Sequence, residues 1–201
     1  MLLGVVLLYV GAVLVINGIW LIGQARVAEP TAAGTAVAVA VAEAEAHPTF
    51  IQNREIAVIN VFTGFVGAVA AVTLLVYGNA HSNLADIRGG GFILLFAFTY
   101  FWVAINNFLN AGGRAFGWYC LFVAITAIPA GIYTLANANG DDASIYLGID
   151  WFAWSLLWGM FFALLTLDRP IARLTGRVAV LEGIGTAWVL GLLLLLDVIA
   201  F

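Results

Sequence analysis

"DWFAWSLLWGMFFALL", residues 150–165, puts Trp151, Trp154 and Trp158 into one apolar run and follows them with Phe161 and Phe162. In a membrane-crossing helix, tryptophan gathers at the two lipid–water interfaces. Trp158 stands too deep in the run for that role alone. The reading of these aromatics depends on what kind of chain carries them.

Of the 201 residues, 64% are hydrophobic and only 9% charged, with a mean hydropathy of +1.09. A soluble domain carries roughly 25% charged residues to keep water at its surface. This chain cannot cover itself that way, so an integral membrane protein is expected. Its seven basic residues are all arginine, too few for the positive field that nucleic-acid binding requires. The single Cys120 lies in an apolar run and gives no disulfide framework, and His47 and His81 have no metal-ligand spacing. No P-loop, GxGxxG or Gly-x-Ser-x-Gly elbow is present, so no catalytic residue, metal or cofactor is expected.

A crossing helix needs about 20 mostly apolar residues. Six segments qualify, at 2–23, 56–78, 91–110, 116–136, 151–167 and 178–201, which predicts an all-α fold of six transmembrane helices in a single domain. The first lacks a basic leader and carries Tyr9 and Asn17, so it reads as a retained helix rather than a signal peptide. Between the first two lies an Ala/Val-rich stretch, 24–55, read as a loop with a surface helix stopped near Pro48. A re-entrant or seventh crossing at 31–42 is the alternative. Charge decides between them. With six spans, Arg26, Arg54, Arg114, Arg169, Arg173 and Arg177 fall on one side and only Arg88 on the other. Basic loops stay in the cytoplasm, which predicts both termini outside and the 24–55 loop inside.

Residues three, four and seven apart share a helix face. Trp151, Ser155, Trp158 and Phe162 form such a stripe, as do Leu3, Val10, Leu14 and Asn17 in the first span. Phe96, Tyr100, Val103 and Asn107 align in the third, and Glu182, Gly185, Thr186 and Val189 in the last. For Trp158, helix packing and pore lining stand open at this point. Glu182 is either a snorkelling or paired group near Arg177, or it faces an aqueous path. Helical depth brings Asn17, Asn106, Phe162 and Glu182 to a similar level, suited to a small neutral hydrogen-bonding solute rather than an ion.

"LLYVGAVLVINGI" (7–19), "FTYFWVAIN" (98–106), "GWYCLFVAITAIPAGI" (117–132), the Trp-rich segment at 151–162 and "LEGIGTAW" (181–188) resemble the AmiS/UreI family of amide and urea channels. The resemblance implies a hexameric ring in the cytoplasmic membrane of a prokaryote, each protomer with its own pore for urea or short aliphatic amides. By motif position the pore residues would include Leu3, Val10, Leu14, Phe96, Tyr100, Trp151, Trp158, Phe162 and Glu182. Asn17 joins them from the helical-face argument. A cytoplasmic urease or amidase would consume the solute. The 24–55 stretch is longer than the family pattern, and the outer loops are poor in histidine. The competing readings are a proton-coupled transporter of small amides titrating Glu182, and a membrane scaffold without transport.

Overall fold

The computed structural model describes residues 2–28, 42–43 and 45–200. Among the described residues, six helices are long and apolar enough to cross a membrane. They are α1 (Leu2–Ala28), α2 (Asn53–Ala80), α3 (Leu84–Leu109), α4 (Arg114–Ala136), α5 (Asp142–Leu165) and a sixth, broken span. That last span consists of α6 (Ala172–Glu182), a π-helical turn (Gly183–Trp188) and α7 (Val189–Leu195). Most of the alternative seventh crossing falls on residues outside the described set.

The helix ends explain where the observed spans depart from the expected ones. The fifth begins at Asp142 rather than 151, because Asp141 caps it and accepts a hydrogen bond from the Ser144 amide at 2.6 Å. A capped polar turn thus extends a helix that hydropathy alone starts too late. The third begins at Leu84, where the Asn83 side chain accepts from the amides of Ala85 and Asp86. Asn110, in the left-handed conformation at φ 50°, closes its far end and donates its amide to Asn106.

Three pairings build the bundle: α2 along α3, α4 along α5, and α1 along the whole sixth span. The α1 pairing brings backbones close together, and glycine makes it possible. A Cβ on Gly18 would lie 2.5 Å from the Gly176 carbonyl oxygen, and one on Gly11 would lie 2.8 Å from the Trp188 Cα. Gly183 meets Leu14, and Gly191 meets the Leu8 amide, also at 2.8 Å. Without a hydrophobic drive between helices in lipid, such close backbone contact is what holds them together. On α1 the glycines at 4, 11 and 18 repeat every seven residues, whereas the facing set runs 176, 183, 191. The extra residue is absorbed by the π-helical turn, whose hydrogen bonds span one residue more than those of an α-helix.

A second seam joins α1 to α2. Asn17 and Asn60, both buried, exchange side-chain hydrogen bonds at 3.1 and 2.7 Å, and Asn60 also donates to the Ile56 carbonyl at 2.8 Å. At the end where α1 finishes, Gln24 donates to the Ile51 carbonyl and Trp20 to Asn53, which fixes the start of α2.

Candidate functional site

Residues from the first five helices, α2 through Leu74 alone, line a cavity of about 610 Å³. Its mouth lies at the end where α1 begins, with Leu2, Arg88, Tyr133 and Ser144 on the rim. Its inner end is formed by Leu14, Tyr100 and Trp158. From Leu2 to Leu14 the helical rise amounts to about 18 Å, so the cavity reaches well into the membrane.

The wall is aromatic by construction. On α5, Trp151, Trp154 and Trp158 lie on one face by steps of three and four, each nearly fully buried. Opposite them, Phe96 of α3 sits 5.5 Å from Trp151, 5.3 Å from Trp154 and 6.0 Å from Trp158, centroid to centroid. Phe92 adds an edge contact to Trp151 at 4.9 Å. One phenyl ring therefore keys into three indoles, at separations where aromatic pairs attract. The Trp154 indole N–H is taken by Thr186 Oγ1 at 2.9 Å, and Thr186 in turn donates to the Glu182 carbonyl at 2.6 Å. These bonds tie the aromatic wall to the π-helical turn. Tyr146 strengthens the tie by donating its hydroxyl to the Gly185 carbonyl.

Of the residues singled out in the sequence, Leu3, Val10, Leu14, Phe96, Tyr100, Trp151 and Trp158 line this cavity together. Asn17, Phe162 and Glu182 do not. Asn17 is engaged with Asn60. Phe162 lies at the edge of the aromatic face of α5 and meets Trp118 of α4 instead, ring to ring at 5.1 Å. Ser155, on the same shoulder, donates to the Ala124 carbonyl at 2.8 Å. Because Gly183 packs on Leu14, Glu182 stands at the depth of the cavity's inner end. It is 8% exposed, and its Oε2 has no hydrogen-bond partner.

Two further residues at or near the site were not assigned to it from the sequence. Trp154 lies between Trp151 and Trp158 on the cavity face, three residues after the one and four before the other. Asp150 is 2% exposed and carries an unpartnered Oδ2. Asp150 and Glu182 are thus two buried carboxyls, each with an oxygen that can accept an N–H donor. Among the described residues no cluster of three or more His, Cys, Asp or Glu could hold a metal ion.

Residues 37–198 match the pattern of the AmiS/UreI family transporters. The chain belongs to that family. Over 93% of its length it is 31% identical to the acid-activated urea channel of Helicobacter pylori (strain J99), covering 94% of that protein. It is 34% identical, over 92% of its length and 72% of the relative, to a Mycolicibacterium smegmatis protein provisionally named an amidate substrates transporter. The crystal structure of the Helicobacter pylori urea channel superposes with a TM-score of 0.76 at 31% identity, covering all of both chains. Six apolar spans and family membership make this a multi-pass integral protein of the prokaryotic inner membrane, and a transporter rather than an enzyme.

Proposed function

We propose that the protein is a passive channel for urea and short-chain aliphatic amides, with one pore in each protomer. The observation that carries this reading is the position of Phe96 against Trp151, Trp154 and Trp158 in a cavity entered from one membrane face. Flat apolar rings can guide a planar amide while giving it no deep well, and a channel needs binding weak enough for release. The pore would run past Leu3, Val10 and Leu14, between Phe96 and the tryptophans, past Tyr100, and on towards Glu182. Asn17 and Phe162 belong to the supporting shell of that path, given their partners Asn60 and Trp118.

The arginines support an orientation with both termini outside. Arg26, Arg54, Arg114, Arg169, Arg173 and Arg177 cluster at the end where α1 finishes, and Arg88 lies at the other. Basic residues favour the cytoplasmic side. Family likeness supports a homo-oligomeric, hexameric ring, and a cytoplasmic urease or amidase is the natural consumer of the solute. The 24–55 stretch would then be cytoplasmic. The buried, unpartnered carboxyls of Asp150 and Glu182 favour a second reading, proton-coupled transport. Stopped-flow light scattering of proteoliposomes challenged with urea, acetamide and glycerol separates them. A channel equilibrates urea or acetamide faster than empty vesicles with no ion gradient applied, whereas a coupled transporter requires one.

A further inference from the structure

Arg88, on the second turn of α3, stands at the cavity mouth, apart from the other six arginines. Its guanidinium carbon sits 4.1 Å over the ring of Tyr133 from α4, itself a rim residue. Stacking of this kind uses the flat face of the guanidinium and holds the group in place. It leaves the N–H edge free. No described residue hydrogen-bonds or ion-pairs with Arg88; Asp86, which also lines the cavity, is engaged by Asn83 Nδ2 at 2.7 Å instead. The result is a fixed fork of N–H donors at the opening of an apolar, aromatic-walled cavity, where low-dielectric walls strengthen a charge's field.

We propose that Arg88, clamped on Tyr133, is a specificity-determining residue: it donates to the carbonyl oxygen of an incoming urea or amide and turns away cations of similar size. The inference rests on the channel reading above and adds to it a selector at the mouth. A carbonyl oxygen is the strong acceptor that urea and acetamide share. Guanidinium has urea's planar shape but carries N–H donors in place of the oxygen and a positive charge, so the same fork repels it.

The test uses full-length protein in liposomes, with rates normalised to inserted protein. Urea, acetamide and guanidinium are compared for wild type, R88Q, R88K, Y133F and Y133L. The expected pattern is that R88Q lowers urea and acetamide rates at least about fivefold and raises guanidinium permeability relative to urea. R88K keeps guanidinium out but transports urea more slowly than wild type, because a point charge replaces the fork. Y133F, which keeps the ring face, stays closer to wild type than Y133L, and Y133L shifts towards R88Q. If R88Q does not insert, R88K and Y133L carry the test. Wild-type urea rates and wild-type guanidinium exclusion in R88Q, or in both R88K and Y133L, would overturn this inference and leave the channel reading standing. A wild type that moves neither urea nor acetamide overturns both.

Discussion

Asn17 and Asn60 pair amide to amide across the α1–α2 seam, each donating to the other's side-chain oxygen. Both are buried, so removing one leaves the other without its partner in an apolar surround. Such an orphaned group costs about 1–3 kcal/mol. Asn17→Ala and Asn60→Ala should each lower the melting temperature in detergent, with solute selectivity per inserted protomer unchanged. Altered selectivity at wild-type stability for Asn17→Ala would instead put Asn17 on the solute path.

The α1 glycines predict a sharper loss. A methyl group on Gly18 would collide with the Gly176 carbonyl oxygen, which belongs to a backbone and cannot swing aside. Gly18→Ala should cost about 1–3 kcal/mol through overpacking, and Gly18→Leu should prevent stable insertion. Thermal-shift and detergent size-exclusion measurements read both. A fully stable Gly18→Leu variant would mean that α1 and the sixth span do not touch there.

Trp158 closes the inner end of the cavity and packs near Phe96 and Phe161. Trp158→Ala should change permeability or the urea-to-acetamide ratio while leaving insertion intact. Truncating a core tryptophan commonly costs about 3–5 kcal/mol. A variant that falls apart in detergent but transports normally per inserted protomer would make this ring a packing residue only.

Glu182→Gln keeps an acceptor oxygen and removes the ionisable group, and the same holds for Asp150→Asn. If the free oxygens of these carboxyls receive solute N–H groups, Glu182→Gln should slow urea flux several-fold and Glu182→Ala should slow it further. Unchanged flux in all three variants would leave the buried pair without a part in permeation.

How much of this was legible follows from particular residues. The aromatic face of α5 could be read from spacing, because Trp151 and Trp158 stand seven apart. The neighbouring shoulder could not be assigned, since Trp154 on one side and Ser155 and Phe162 on the other fit the period about equally well. Only the partners decide: Phe96 meets Trp154, while Ala124 and Trp118 take Ser155 and Phe162. The Asn17–Asn60 pair joins residues 43 apart in sequence, and no local pattern reports it. In the last span, the alignment of Glu182 with Gly185, Thr186 and Val189 assumed an α-helical period, which the π-helical turn breaks at Gly183. The glycine spacing of seven and then eight was the available signal. Asp150 interrupts the apolar run of the fifth span, so hydropathy alone places it outside the span rather than in the buried interior it occupies.

Acid response follows from the scarcity of histidine, the side chain whose charge ordinarily changes between about pH 5 and 8. Among the residues that the proposed orientation puts outside, His81 is the one histidine. It is exposed and stacked on Tyr77 at 4.0 Å, with Nδ1 2.9 Å from the Tyr77 carbonyl oxygen. One exposed histidine offers little for a cooperative gate. Urea uptake in oriented vesicles should change less than about threefold between external pH 5 and 7.5. An order-of-magnitude rise on acidification would contradict this, and His81→Ala would then be the first variant to test.

The central claim is that transport is passive. Purified protein in liposomes, loaded against a urea or acetamide step with no proton or sodium gradient, measures it most directly. The account predicts solute equilibration well above the rate of empty vesicles, the same with and without a protonophore, and never beyond the external concentration. Uphill accumulation driven by an imposed proton gradient and abolished by the protonophore would contradict it and make the Asp150–Glu182 pair the centre of a coupled transporter.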